Sequence, residues 1–171
     1  EFNLVLISED AGVMAAGIEA CGFKRPVIYA ATEGNVDVYG KMALDNELPL
    51  AVKADSIEGL IALSDKLTGM GLKDLILDPG SREVKQALED MVAMRRAALK
   101  DGNRSLGFPT IAFPCEMAAN LDMETLIASM LIAKYGGIVI LSDFPFLYMV
   151  VIVFSVIPST FSIPTRISIL L

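Results

Sequence analysis

The sequence predicts an α/β protein that forms part of a (β/α)8 barrel, with about six βα strands. Short apolar runs rich in β-branched residues recur along the chain, begin 22 to 36 residues apart, and alternate with segments of helical spacing. Strands that are apolar on both faces and separated by helices are typical of a parallel sheet covered by helices. We assign this partial barrel to residues 2–144 and treat residues 145–171 as a separate tail.

The strands are predicted from six apolar runs. Their length and their content of valine, isoleucine and leucine indicate strands that are buried on both faces. In chain order they are LVLIS (4–8), PVIYA (26–30), PLAVK (49–53), DLILD (74–78), TIAFP (110–114) and GIVIL (137–141).

Two helices between these strands have clear boundaries. One begins with Ser81 as the expected N-cap and Glu83 in its first turn. The other reads SIEGLIALSDKLTGMG, with Ser56 as its cap and glycines 69 and 71 at its end. The first helix is amphipathic, because its apolar residues fall on one face: Val84, Ala87, Leu88, Met91, Met94 and Ala98.

Two architectures satisfy this order of elements, an open doubly wound sheet and a (β/α)8 barrel. The residues after the first strand, EDAGVMAAG, lack the GxGxxG turn of dinucleotide-binding folds. The regular repeat favours the barrel. Because a complete barrel typically takes about 250 residues, we expect the 171 residues to hold only part of one.

Charge and composition exclude several classes of function. A formal charge of −7 argues against nucleic-acid binding. The chain has no histidine, which removes Ser-His-Asp and Cys-His nucleophile schemes and the commonest metal ligand. Cys21 and Cys115 are far apart and form no CxxC, so we expect no metal site and no disulfide framework. This cysteine usage fits a cytoplasmic protein.

The candidate site residues stand at the carboxyl ends of the strands, where both architectures place their chemistry. Asp78 ends a strand, Pro79 prevents its continuation and Gly80 permits a turn. On the residues alone a βα turn is the favoured interpretation; the alternative is a carboxylate that accepts paired N–H donors from a flat heterocycle. Asn35 is either a helix-start residue or an amide at the same edge. The other strand-end residues are Ser8, Glu9, Thr32, Lys53, Pro114, Cys115, Ser142 and Asp143.

Lys53 either binds an anionic substrate or, as the safer interpretation, extends to solvent. No basic partner near Cys115 is visible in the sequence, so a nucleophilic role is not expected for its thiol. Arg95 and Arg96 are expected on a solvated helix face.

Four segments together resemble a known family: PVIYAATEGN, LILDPGSR, MRRAALKDGNRSLGFPTIAFP and IAKYGGIVILSDF. In this order they resemble the large (gamma) subunit of the corrinoid iron–sulfur protein. That protein belongs to the acetyl-CoA synthase/CO dehydrogenase, or acetyl-CoA decarbonylase/synthase, system. The resemblance covers residues 2–144 and implies a central (β/α)8 barrel between a four-cysteine 4Fe–4S domain and a corrinoid-binding domain. In the family, the cobalt takes a methyl group from a methylated tetrahydropterin and passes it on for acetyl-CoA synthesis.

This chain matches the central barrel alone. The resemblance therefore implies scaffolding, with the corrinoid and the iron–sulfur cluster held elsewhere in the full-length protein and no activity in the fragment alone. The implied partners are the small subunit, acetyl-CoA synthase/CO dehydrogenase and a methyltetrahydropterin methyltransferase. Residues 78–80 also resemble the strand-end motif of pterin-binding barrels such as dihydropteroate synthase. That second resemblance implies a methyltransferase-type enzyme in which Asp78 and Asn35 bind methyltetrahydrofolate directly.

The tail differs in composition from the rest of the chain, because Arg166 is its only charged residue after Asp143. Its apolar run at 146–157 ends at Pro158 and is shorter than the about 20 residues of a membrane helix. We therefore expect no membrane anchor. The charged amphipathic helices of further βα units are also missing. Our hypothesis is that the coding frame is lost, or the fragment ends, near residue 144, which the nucleotide sequence tests.

Overall fold

Strands and helices alternate along the chain in the computed structural model, which describes residues 4–22, 24–134, 136–143 and 168–170. The strands are β1 (Val5–Ile7), β2 (Val27–Ala31), β3 (Leu50–Lys53), β4 (Leu75–Asp78), β5 (Thr110–Ala112), β6 (Gly136–Ile140) and β7 (Ser168–Leu170). The helices are α1 (Ala11–Cys21), α2 (Val36–Asp45), α3 (Ile57–Gly69), α4 (Val84–Lys100), α5 (Pro114–Met117) and α6 (Leu121–Lys134), with a 3-10 helix at Arg104–Leu106.

All the strands belong to one parallel sheet whose spatial order is the chain order, β1 to β7. Each strand pairs with the next; for example, Val5 of β1 is in register with Val27, and Lys53 of β3 with Asp78. A strand order without reversal is the order of a barrel and not of a doubly wound sheet. The predicted partial (β/α)8 barrel with about six strands is confirmed, and its bounds at residues 2–144 stay a prediction.

The alternation of side chains along the strands divides the core into two layers. One layer lies between the sheet and the helices and includes Ile28, Leu50, Val52, Leu75 and Leu77. The other lies on the concave face and includes Val27, Tyr29, Ala51, Ile76, Ile111 and Phe113. Lys53 and Asp78 stand two residues beyond Ala51 and Ile76, so they lie on the concave face at the carboxyl ends of their strands.

The predicted helix boundaries are correct for α3 and wrong at the start of α4. The Ser56 side chain accepts a hydrogen bond from the Gly59 amide at 3.0 Å, as an N-cap should. Ser81 does not cap α4; its hydroxyl donates to Asp90, and Glu83 occupies the N-cap position without a side-chain cap. The helix begins late because the preceding residues turn back to bring Arg82 onto Asp78.

The amphipathic face predicted for α4 is confirmed. Ala87, Met91 and Met94 are buried there, whereas Arg95 and Arg96 are exposed, as expected. The burial of this stripe against the sheet holds α4 on the outside of the barrel.

Most of the tail, residues 144–167 and 171, lies outside the described residues. Residues 168–170 form β7, which pairs in parallel with β6; the sequence analysis assigned no strand there. The doubtful origin of residues 145–171 stays a hypothesis. Over the residues that the structure describes, no helix is both long enough and apolar enough to cross a bilayer.

Candidate functional site

Asp78 lies at the barrel mouth, the edge of the sheet formed by the carboxyl ends of the strands, and its side chain is 1% exposed. Its Oδ1 accepts from the Gly80 amide at 2.8 Å and from Nη1 of Arg82 at 3.1 Å. Its Oδ2 accepts from the Tyr29 hydroxyl at 2.5 Å and from Nη2 of Arg82 at 2.8 Å. Because a carboxylate offers about four lone-pair positions, donors from the protein itself occupy all of them.

The Arg82 guanidinium is equally well satisfied. Besides its two hydrogen bonds to Asp78, Nη1 donates to the Ser81 carbonyl at 3.2 Å and Nη2 donates to the Tyr29 hydroxyl at 2.9 Å. Its Nε donates to a carboxylate oxygen of Glu116. Every N–H of the guanidinium therefore has an acceptor, which fixes the planar group in one orientation.

An aromatic surface supports this ion pair. The Arg82 guanidinium carbon lies 4.5 Å from the centroid of the Phe113 ring, a cation–π arrangement. The Tyr29 and Phe113 rings pack with their centroids 5.0 Å apart. The contacts join the ends of β2, β4 and β5. We call this group the mouth cluster: Tyr29, Asp78, Arg82, Phe113 and Glu116.

The turn after β4 makes the cluster possible. Gly80 has φ 76°, a conformation that side chains with a Cβ rarely adopt. A Cβ on Gly80 would also stand 3.1 Å from the carbonyl oxygen of Ala54. The tight turn returns the chain so that Arg82, four residues after Asp78, forms a two-point hydrogen bond with it.

Burial and charge control the protonation of Tyr29. Burial raises the pKa of its hydroxyl well above the usual value of 10.0, and the Asp78 carboxylate raises it further. Arg82 lowers the pKa of Tyr29, but by less than the other effects. The hydroxyl therefore stays protonated and donates to Asp78.

Asn35 takes both of the positions considered for it, at the start of α2 and at the barrel mouth. It is the residue before α2, yet its side chain forms no helix cap. Instead its Oδ1 accepts from the Thr32 amide at 2.7 Å and its Nδ2 donates to the Ala30 carbonyl at 3.2 Å. These bonds hold the loop after β2 closed against the strand end.

A cavity of about 310 Å³ adjoins the mouth cluster. Its lining includes Tyr29, Thr32, Asn35 and Lys53. Asn35 and Asp78 are both close to Tyr29. Tyr29 lines this cavity together with Asn35, and its hydroxyl donates to the Asp78 carboxylate. The Lys53 side chain is half-buried and forms no ion pair with any residue in the described part of the chain.

The remaining strand-end residues have separate structural positions. Pro114 begins α5, and burial raises the pKa of the adjacent Cys115 thiol, with Glu116 and Glu124 acting in the same direction. A raised pKa disfavours the nucleophilic thiolate, in agreement with the expectation for Cys115. Ser142 donates to the buried Glu124 carboxylate through its amide at 2.6 Å and its hydroxyl at 2.5 Å.

The sequence interpretation selected Asp78 and Gly80 but missed the residues that surround them. Arg82 carries a readable signal, since the Pro79-Gly80 turn can return a cation that follows it to the strand-end carboxylate. Tyr29 and Phe113 carry none, because each stands in an apolar run and its role depends on the register between strands.

The residues of this chain do not fit a four-cysteine iron–sulfur cluster. The whole chain has two cysteines and no histidine, too few thiolates for a four-cysteine cluster. Among the residues whose placement is described, no group of three or more potential ligands is arranged to hold a metal ion. We derive no chemical step through a corrinoid or an iron–sulfur cluster in this chain.

Fold and site together define a partial parallel α/β barrel whose mouth is held by a buried, fully hydrogen-bonded ion pair. The chain belongs to the CO dehydrogenase/acetyl-CoA synthase delta subunit family (CdhD), whose profile matches residues 1–155. The family resemblance seen in the sequence is thereby confirmed.

Three relatives show the extent of the similarity. The large subunit of the corrinoid/iron-sulfur protein from Moorella thermoacetica is 38% identical over 141 residues, 82% of this chain and 31% of the relative. The gamma 1 subunit of the acetyl-CoA decarbonylase/synthase complex from Methanosarcina mazei is 32% identical over 154 residues, 82% of this chain and 33% of the relative. The gamma subunit from Archaeoglobus fulgidus is 29% identical over 148 residues, 80% of this chain and 32% of the relative.

The chain thus spans about a third of the length of these curated relatives. The profile has a delta-subunit description, whereas the three relatives are named large or gamma subunits.

The mouth cluster predicts a large stability loss when Arg82 is removed. Arg82→Ala leaves the Asp78 carboxylate buried without its counter-ion, and we expect the free energy of unfolding to fall by about 3–5 kcal/mol. Arg25→Ala is the control, because the Arg25–Asp74 pair is more than 60% exposed on both sides and should cost at most about 1 kcal/mol. Urea denaturation measures both, and equal losses would contradict a buried, structural ion pair.

The raised pKa of Tyr29 predicts alkaline destabilisation. As pH rises through about 10, the unfolded chain releases the Tyr29 proton while the folded protein retains it. The free energy of unfolding therefore falls with pH in this range, and the contribution is fully present below it. Tyr29→Phe should show a smaller alkaline loss than the unmodified chain. Urea titrations at several pH values measure the difference, and parallel losses would show that Tyr29 does not contribute.

Proposed function

We propose that this chain is the central barrel of a corrinoid iron–sulfur methyl carrier. The full-length protein would carry a methyl group from methyl-tetrahydropterin to acetyl-CoA synthase in the reductive acetyl-CoA pathway. Family membership and the names of the relatives support this assignment. The large-subunit assignment rests on the names of the relatives, of which the one from Moorella thermoacetica is 38% identical over 82% of this chain. The cytoplasmic location suggested by cysteine usage is part of the same proposal.

Within that carrier, we assign a scaffolding role to the barrel. It would join the two cofactor domains and pack against the small subunit, and it would assemble with acetyl-CoA synthase/CO dehydrogenase and the methyltetrahydropterin methyltransferase. The fragment alone would transfer no methyl group.

The observation that supports the scaffolding role is that every acceptor position of the Asp78 carboxylate has a donor from the chain itself. A pterin ring that bound this carboxylate through paired N–H donors would have to displace Arg82. Replacing Arg82 by a pterin would break its two-point ion pair with Asp78 and its cation–π contact with Phe113. The guanidinium would then lose the Asp78 oxygens as hydrogen-bond acceptors. A structural ion pair at the mouth is therefore the better use of these residues.

The second candidate function is a pterin-binding methyltransferase-type barrel. The observation that favours it is the cavity of about 310 Å³ beside the cluster, which Asn35, Tyr29 and Lys53 line. This volume lies at the lower end of the range of about 300–1,000 Å³ typical of small-molecule sites.

Cofactor content tests the carrier assignment. A chain extended in both directions along its gene, purified and reconstituted without oxygen, should contain cobalt and an iron–sulfur cluster. The 171-residue chain treated in the same way is the control. It should contain no cluster, because it lacks the thiolates, and no cobalt, because the proposal places the corrinoid in another domain. Metal analysis and visible absorption measure both, and a colourless extended protein without cobalt would refute the assignment.

Calorimetric titration with methyltetrahydrofolate tests the second candidate. We expect no saturable heat of binding to the 171-residue chain, because Asp78 has no acceptor position left.

Asp78→Asn and the exposed Asp74→Asn form a matched pair of variants. Saturable binding that is lost in Asp78→Asn, kept in Asp74→Asn and accompanied by unchanged circular dichroism would support the pterin-binding barrel and contradict the scaffolding role.

A further inference from the structure

A groove runs beside the second half of α4, away from the barrel mouth. It encloses about 360 Å³ between α4 and the segment that contains the 3-10 helix and leads into β5. Met91, Met94 and Leu106 form its buried floor. We call it the α4 groove, and none of the mouth cluster residues lines it.

The rim of the α4 groove combines exposed apolar surface with cations. Leu99 is 69% exposed, although it is a large aliphatic residue, and it lines the groove together with the half-buried Phe108. Arg95 and Arg104 line the same groove from α4 and from the 3-10 helix. Apolar surface with a charged rim is the usual composition of a protein-binding site.

The segment around this groove carries an excess of positive charge. Residues 91–110 contain four cations, Arg95, Arg96, Lys100 and Arg104, and one acid, Asp101, in a chain of net charge −7. Within the described ranges, none of the four forms a salt bridge or a side-chain hydrogen bond. In the part of the chain that the structure describes, no carboxylate therefore forms an ion pair with these four cations.

The attraction of cations to the C-terminal end of a helix does not explain the positions of all four cations. Lys100 occupies the last turn of α4, where a cation is favourable, but Arg95 and Arg96 precede that turn and Arg104 lies beyond the helix. Arg96 and Lys100 are also four residues apart, a like-charge spacing that destabilises a helix slightly. A negatively charged partner would remove this repulsion.

We propose that the α4 groove binds an acidic segment of another protein, with one large apolar side chain of that segment inserted between Leu99 and Phe108. The arginines would pair with the segment's carboxylates at the rim. The methionine floor adapts to the shape of the inserted side chain, because methionine is flexible and polarisable. A nucleic acid fits less well: the floor is aliphatic, no exposed aromatic ring offers a stacking surface there, and the net charge of −7 opposes a polyanion.

Three fluorescently labelled polymers test this proposal on the 171-residue chain. They are a random glutamate–tyrosine copolymer, polyglutamate and single-stranded polyuridylate. We expect saturable binding of the copolymer, weakened by added salt, with polyglutamate at least about tenfold weaker because it lacks the apolar anchor.

Two variants locate the site. Arg95→Glu with Arg104→Glu should weaken copolymer binding by about tenfold or more, and Leu99→Ser should weaken it several-fold. Lys41→Glu with Lys85→Glu makes the same change in net charge at exposed positions outside the groove and should leave affinity unchanged. Circular dichroism of each variant separates lost binding from lost folding; if Leu99→Ser unfolds the chain, Leu99→Lys replaces it.

Three results would overturn the proposal. The first is no binding of the copolymer. The second is equal binding of the copolymer and polyglutamate that Leu99→Ser does not change, which would show charge attraction without a groove. The third is tighter binding of polyuridylate that the arginine variants abolish, which would show a nucleic-acid site.

Discussion

The two-point ion pair between Asp78 and Arg82 is the interaction on which the barrel mouth depends. A carboxylate that is 1% exposed is costly unless its charge is compensated, and Arg82 supplies that charge while Tyr29 and the Gly80 amide complete the hydrogen bonds. The same guanidinium rests on Phe113 and reaches Glu116. One side chain therefore ties together three strands and the helix that follows β5, so the mouth has a fixed shape before any ligand or partner arrives.

In this arrangement the carboxylate of the Asp-Pro-Gly turn is hydrogen-bonded to the chain itself. In a pterin-binding barrel the strand-end carboxylate must offer acceptors to a ligand, whereas here each lone-pair position has a donor from the chain. Asn35 is committed in the same way to the backbone of residues 30 and 32. Residues that resemble a binding motif are thus bonded to the chain itself, as the proposed scaffolding role requires.

The sequence predicted the strands and the α4 face well, because both depend on local periodicity. Apolar runs such as LILD can be buried on both faces only in a helix-covered parallel sheet, and the stripe through Met91 and Met94 defines one helix side. The Ser81 cap was wrong because the return of Arg82 to Asp78 overrides the preference for a cap at Ser81, whose hydroxyl donates to Asp90 instead. The aromatic residues around the ion pair were missed for a different reason: Tyr29 and Phe113 are far apart in sequence and meet only through the register of β2, β4 and β5. Periodicity predicts elements, but it does not predict which concave-face residues become neighbours.

The central claim is that the Arg82 guanidinium occupies the Asp78 carboxylate permanently. Nitrogen-15 NMR of the Arg82 side chain in the 171-residue chain tests it most directly. The account predicts separately resolved, slowly exchanging N–H signals that stay unchanged when methyltetrahydrofolate is added. Averaged, rapidly exchanging signals, or signals that shift with saturation on addition of the pterin, would show that the ion pair opens and would contradict the account.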